Sequence, residues 1–177
     1  VFSIKKVMKS RKNIVFLGMM GSGKTSIGMM VSKKLNLDFF DIDSLIEKKL
    51  NLKIAKIFDI KGEKFFREFE EKTTLDILKK KNVIVSLGGG AFLNKNIRTE
   101  VLKNHLSFWL KIDAKTIIER IINNPKRPIA FNSTKNELLY LIKKRSKIYS
   151  KSMYNIICDN LTKKDIVKKV LNIYETK

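Results

Sequence analysis

Residues Ile14 to Gly28 read IVFLGMMGSGKTSIG: an apolar run, then a glycine-rich turn that closes on Lys24 and Thr25. Beyond the turn Ile27, Met30, Val31 and Leu35 recur at helical spacing. The segment Gly18–Thr25 fits G-x-x-x-x-G-K-[S/T] with a predicted strand before it and a predicted helix after it, the context in which that motif carries meaning. Its composition follows from its physics. Glycines let the backbone curl until successive amides point inward as a nest for anionic oxygens, and the helix that starts near Lys24 adds the positive end of its dipole. Lys24 is therefore expected to reach the β and γ phosphates of a nucleoside triphosphate, and the Thr25 hydroxyl to ligate magnesium. Gly21, Ser22, Gly23, Lys24, Thr25 and Ser26 form the expected nucleotide-binding stretch. A dinucleotide loop also uses G-x-x-G-x-G, but the Lys-Thr pair after the last glycine disfavours it.

Outward from this turn the chain alternates between two patterns. Short β-rich apolar runs at Ile14–Leu17, Phe39–Ile42, Val83–Leu87, Ser107–Ile112 and Tyr154–Cys158 predict strands. Helices are expected after the glycine turn, around Phe66, Phe69, Thr73 and Ile77, and over Ser44–Leu50, Asn96–Asn104, Lys115–Asn123, Lys135–Lys151 and Thr162–Glu175. Ser44 with Glu47, and Thr162 with Asp165, offer acceptors for the free amides of a helix start. Strands that alternate with helices imply an α/β fold with a parallel sheet covered on both faces, because parallel neighbours need a crossover. The stretch NNPKRPIAFNSTKN, Asn123–Asn136, holds both prolines and joins two helices, and it reads as a lid.

The chain has 177 residues, 44% of them apolar, which suits one domain spanning residues 1–177 with a core over about 12–172. Cys158 is the single cysteine and His105 the single histidine, so neither a disulfide nor a His/Cys metal cluster is expected. No apolar run approaches the ~18 residues of a membrane span and the first residues do not resemble a signal peptide, so the expectation is a cytoplasmic protein without a membrane partner. The net charge of +21 is mostly lysine spread over every predicted helix, and no reader motif or stacking array accompanies it. A nucleic-acid partner is not expected on that basis.

Scarcity is more telling. Of eight glycines, Gly18, Gly21 and Gly23 lie in the first turn and Gly88, Gly89 and Gly90 in VIVSLGGG, where Ser86 stands near the strand end that often carries an aspartate. Three glycines at the carboxyl edge of a parallel sheet put bare backbone where ligands of such folds bind. Asp41 and Asp43, in FFDIDSLIE, are two residues apart and are expected on one side of the strand pleat, facing the same cleft. One would help hold magnesium and the other would accept a hydrogen bond from an attacking hydroxyl. Only six of the 38 basic residues are arginine, so each arginine is a candidate for the bidentate contacts that lysine cannot make.

Taken together, GMMGSGKT, DID, GEKFFREFE, SLGGG and KRP strongly resemble shikimate kinase in order and spacing. The resemblance implies a P-loop, three-layer α/β/α, nucleoside-monophosphate-kinase-like fold with a five-stranded parallel sheet. It implies transfer of the ATP γ-phosphoryl group to the 3-hydroxyl of shikimate by an ATP- and Mg²⁺-dependent monomer of chorismate biosynthesis. By resemblance Asp43 binds the shikimate hydroxyls and acts as base, Arg67 and Arg145 meet its carboxylate, and Gly88, Gly89 and Gly90 press against its ring. Arg127 in the lid would approach the transferring phosphoryl group and Arg120 the nucleotide, with Thr25 and Asp41 at the metal. Glu70, three residues after Arg67, would orient that guanidinium, whereas Arg98 and Arg11 match no functional position. The alternatives are another small-metabolite kinase of this fold, such as a gluconate kinase, or a non-catalytic protein that binds ATP or nucleic acid.

Overall fold

The structure, a computed structural model, describes residues 12–122 and 133–176. Arg127, both prolines and most of the expected lid lie outside the described residues. In chain order the elements are β1 (Ile14–Leu17), α1 (Lys24–Leu35), β2 (Asp38–Asp41), α2 (Ile42–Leu50), α3 (Ile54–Leu78), β3 (Val83–Ser86), a 3₁₀ turn at Ala91–Leu93 and α4 (Lys95–Asn104). They continue with β4 (Leu106–Lys111), α5 (Ala114–Ile122), α6 (Lys135–Tyr149), β5 (Tyr154–Ile157) and α7 (Lys163–Glu175). The five strands form one sheet in the order β2-β3-β1-β4-β5, and every neighbouring pair is parallel.

Strand alternation sorts the core into two layers. Ile14 and Phe16 of β1, Phe108 of β4 and Ile156 of β5 point to the side covered by Ile27 and Val31 of α1 and Ile166, Val167 and Val170 of α7. Val15 and Leu17, with Val83, Val85 and Trp109, point to the opposite side, where Ile46, Phe66, Val101, Ile117, Leu138 and Tyr149 pack from the remaining helices. The central strands β1 and β3 are wholly buried, and residues at the edge strands β2 and β5 keep partial exposure. Truncating a buried aromatic such as Phe16 or Phe108 to alanine should cost about 3–5 kcal/mol, because the layers are too tightly packed to collapse onto the cavity. Asn13 fixes the strand neighbours: its Nδ2 donates to the Leu78 and Lys80 carbonyls and its Oδ1 accepts from the Val83 amide, so β1 and β3 start in register.

The helix starts correct two expectations. The chain leaves β2 one residue earlier than expected, and the cap of α2 is Asp41, whose Oδ1 accepts from the Ser44 amide at 3.1 Å, so Ser44 lies inside the first turn instead of capping it. Asp43 accordingly sits on the first turn of a helix, and the pleat is not what brings it beside Asp41. Glu47 is spent on the next helix, with Oε1 accepting from the Ile54 amide and Oε2 from Lys53. That helix, α3, begins at Ile54, more than three turns before Phe66 where the expected stretch starts, and is interrupted at Gly62, whose φ of 78° and ψ of 168° are not helical. Thr162 and Asp165 do form the expected reciprocal cap of α7, and Thr134 with Glu137 forms another on α6.

Candidate active site

In a parallel α/β sheet the ligand crevice opens at the carboxyl ends of strands whose connections leave in opposite directions. Here that place is the gap between β1 and β3: the chain leaves β1 into α1 on one side of the sheet and leaves β3 toward α4 on the other. The two glycine turns therefore stand side by side, and a Cβ built on Gly89 would lie 3.3 Å from the Met20 amide nitrogen.

The turn after β1 is held by backbone geometry. Gly18, Gly21 and Gly23 have φ of 138°, 81° and 89°, conformations that an L side chain rarely adopts. Lys24, the first residue of α1 and almost fully buried, donates from Nζ to the Gly18 and Met19 carbonyls at 3.0 Å each, which places its charge over the loop. Ser22 is 3% exposed and its Oγ has no hydrogen-bond partner among the described residues, the condition of a buried polar atom built to meet a ligand. Arg120 of α5 donates to the Gly21 carbonyl at 3.0 Å, so this residue is brought to the turn, while Ser26 follows Thr25 on α1.

The Thr25 hydroxyl donates to Asp41 Oδ2 at 2.6 Å, bringing together the two residues expected at a metal. These hard oxygens fit Mg²⁺, which is commonly held by one or two protein oxygens with phosphate and water completing the shell. Among the described residues no cluster of three or more His, Cys, Asp or Glu side chains converges on a cation.

The acid-facing half is assembled from four separate elements. Asp43 keeps part of its surface accessible, yet protein surrounds its carboxyl; burial raises its pKa, Lys24 and Arg67 pull it back, and Asp41 and Glu47 push it further up. Arg67 donates from Nη1 to Glu70 Oε2 at 2.7 Å and from Nε to Glu63 Oε1 at 3.3 Å, and lies 5.1 Å from the centre of the Phe66 ring. Burial disfavours the charge on Arg67, but Glu70 and then Glu63 overcome it and raise its pKa. Glu70 is 2% exposed, and burial raises its own pKa against the opposing pull of Arg67.

Gly88, Gly89 and Gly90 form the floor between these groups. A Cβ on Gly88 would fall 2.5 Å from Asp43 Oδ1 and 2.7 Å from Glu70 Oε1, and one on Gly90 would fall 2.6 Å from Arg67 Nη1. From the other side Arg145 of α6 donates to the Gly89 carbonyl at 3.3 Å, and its buried Nε has no partner among the described residues. Asp43, Arg67, Arg145 and the three glycines thus converge beside the first turn, as expected from residues far apart in the chain.

Two residues here had no assigned part in the sequence reading. Tyr149 donates to the Gly89 carbonyl, and its i, i+4 spacing from Arg145 was the available signal. Arg98 donates to the Phe92 and Leu93 carbonyls at 3.1 and 2.8 Å, and so holds the 3₁₀ turn that follows the glycines.

Comparison with known proteins agrees with this geometry. The family model described as shikimate kinase matches residues 20–175. A shikimate kinase from Bacillus subtilis is 41% identical over 157 residues, covering 88% of this chain and 84% of that protein, and one from Sulfurihydrogenibium is 37% identical over 160 residues, covering 90% and 96%. Among solved structures, a shikimate kinase from Acinetobacter baumannii in complex with shikimate superposes with a TM-score of 0.89 at 26% identity, covering 97% of each chain. A deoxyadenosine kinase from M. mycoides with bound dCTP, only 15% identical, superposes with a TM-score of 0.62 over 93% of this chain and 100% of that one and so shares the fold alone. The architecture is the P-loop, three-layer, nucleoside-monophosphate-kinase-like fold, and the chain belongs to the shikimate kinase family.

Proposed function

We propose that this ATP-dependent kinase transfers the γ-phosphoryl group of ATP to the 3-hydroxyl of shikimate, giving shikimate 3-phosphate and ADP for aromatic amino-acid biosynthesis. The observation that carries the reading is the convergence of two arginines, Arg67 and the partly unsatisfied Arg145, on a glycine floor that abuts a phosphate loop. A small hydroxylated acid needs a bidentate cation for its carboxylate and an acceptor for its hydroxyl, and Asp43 supplies the acceptor.

Phosphoryl transfer asks a protein chiefly for alignment and charge neutralisation, because the loose transition state spreads negative charge over the equatorial oxygens. Lys24, the amides of Gly21–Thr25 and Arg120 hold the triphosphate. Arg127 joins them by resemblance, outside the described residues. A cation about 4 Å from a phosphate oxygen contributes up to roughly 4 kcal/mol at an effective dielectric near 20, more than a screened surface contact. Thr25 and Asp41 would hold Mg²⁺, which when bound offsets charge on the β and γ phosphates.

On the acceptor side Asp43 orients the 3-hydroxyl and takes its proton as the bond to phosphorus forms. Its burial makes it a better acceptor than a solvated aspartate, while Lys24 and Arg67 favour its charged form. Glu70 holds Arg67 against the floor so that the guanidinium meets the carboxylate with its geometry already set. All the residues invoked come from one chain, so the reading needs no second copy.

An ADP-release assay offering shikimate, gluconate, nucleoside monophosphates and water in parallel tests this. The expected signal depends on shikimate; a signal with gluconate and none with shikimate would transfer the assignment to another small-metabolite kinase.

A further inference from the structure

One buried side chain touches both halves of the site. Tyr149 closes α6 and is 1% exposed, with its ring 5.9 Å from that of Trp109. Its hydroxyl donates to the Gly89 carbonyl in the acceptor turn and lies 3.7 Å from Met19 Sδ in the phosphate loop. A single oxygen therefore stands at the place where the two turns abut. Burial pushes the phenol up to about 12 against the pull of Arg145, so the group remains a donor throughout the range in which a kinase works.

The rest of the acceptor turn is tied down elsewhere. Arg98 holds the Phe92 and Leu93 carbonyls, and Asn94 donates to Glu71 Oε2 at 2.6 Å, which ties the turn's far end to α3. The Asn94 contact sets the turn relative to the helix that bears Arg67, and the Arg98 contacts set it relative to α4. They do not reach the phosphate loop. Arg145 also donates to the Gly89 carbonyl, and the Leu87 amide donates to the Phe16 carbonyl where the two strands end, but neither contact reaches a side chain of the phosphate loop as the phenol oxygen does.

We propose that the Tyr149 hydroxyl is a positioning residue that sets the acceptor turn against the phosphate loop, and thereby the spacing between the acceptor hydroxyl and the γ-phosphate. The proposal rests on the shikimate kinase reading above. Reacting atoms must approach within about 3–3.5 Å in line, so a small shift of one turn against the other is felt in the transfer step more than in either binding step.

Tyr149→Phe keeps the ring against Trp109 and removes the oxygen. The expected result is a kcat lowered about tenfold, a shikimate KM raised less than that, and an ATP KM close to that of the unaltered enzyme. ADP release in excess of shikimate 3-phosphate should grow, because water can still reach a bound nucleotide whose acceptor is misplaced. Met19→Leu, which removes the sulfur and keeps the packing, should act in the same direction more weakly, and the two changes together should cost less than the product of their separate effects.

Unaltered kcat, KM values and product ratio in Tyr149→Phe would overturn the proposal. A kcat loss that tracks a fall in melting temperature, with no change in product ratio, would overturn it as well, since that is the behaviour of a packing residue. Wild-type enzyme assayed alongside separates the two readings: if it fails to phosphorylate shikimate, the assigned function falls, and if it succeeds while both variants match it, only the role of Tyr149 falls.

Discussion

Two glycine turns leave neighbouring strands side by side, and they need glycine for different reasons. The turn after β1 needs it for conformation, because Gly18, Gly21 and Gly23 all have positive φ. The turn after β3 needs it for room. None of Gly88, Gly89 and Gly90 has a positive φ, and Gly90 at φ −103° and ψ −15° is in the ordinary right-handed region. What a side chain there would displace is the company: the ends of the Asp43, Glu70 and Arg67 side chains are laid directly on the backbone. The first turn is thus a self-contained device made by eight consecutive residues, and the second is a bare plate that acquires chemistry from side chains delivered by α2, α3 and α6.

Removing charge from the self-contained turn should do the most damage. Lys24→Ala is expected to lower kcat by about a thousandfold, since a positive group aimed at the transferring phosphate is lost, while the circular dichroism spectrum is retained. Activity near that of the unaltered enzyme would break the comparison by removing the phosphate role from the first turn.

Asp43→Asn is expected to lower kcat by about a hundredfold, and it carries a second signature. The pKa of Asp43 is raised in the folded protein above its usual 3.8, so its ionisation costs native stability as pH rises through the folded pKa. The neutral asparagine escapes that cost. The variant should melt higher than the parent at pH 7, and the gap should close as pH falls below the usual value; a variant that melts lower at pH 7 and gains no relative ground there would contradict the burial assigned to this carboxyl.

Arg67→Lys sharpens the comparison on the acceptor side. It keeps the charge and loses the planar fork, so the shikimate KM should rise about tenfold with the ATP KM unchanged. A rise confined to the ATP KM would move Arg67 out of the acid site.

The smallest effects separate the two uses of glycine. Gly88→Ala should lower kcat/KM for shikimate a few-fold with little loss of melting temperature, because the atoms in the way are the ends of flexible side chains that can swing aside. Gly23→Ala meets nothing within 4 Å but has a φ of 89°, so it should cost about 1 kcal/mol of stability through backbone strain and weaken ATP binding with it. Reversed outcomes, with stability lost at Gly88 and shikimate use lost at Gly23, would mean that the reasons assigned to the two turns are wrong.

The legibility of the site divides along the same line. GMMGSGKT could be read from consecutive residues because its function resides in local backbone conformation. The strands were placed to within a residue because alternation and β-branched runs are local signals too. The cap of α2 was misplaced because Asp41 and Ser44 can both accept an amide, and only the point at which β2 leaves its neighbour β3 selects between them. The first turns of α3 are not legible in the sequence although Ile54, Ile57 and Phe58 carry helical spacing, since the break at Gly62 interrupts the pattern. Tyr149 carries only its i, i+4 spacing from Arg145 as a sequence signal, and that spacing does not tell a core ring from one whose oxygen bridges two loops.

By itself the amino-acid sequence determined a parallel α/β fold, a phosphate cradle and, through the resemblance of its spaced motifs, the family. Those are properties of short segments, since strand alternation, helical spacing and positive-φ glycines are settled by residues close in the chain. The tertiary structure alone decided that Asp43 and Glu70 share the space a Gly88 side chain would fill, that Arg67 is held by Glu70, and that one phenol oxygen touches both turns. Such contacts join residues as far as 130 positions apart, and their distances depend on how helices pack across the sheet, which no local pattern encodes.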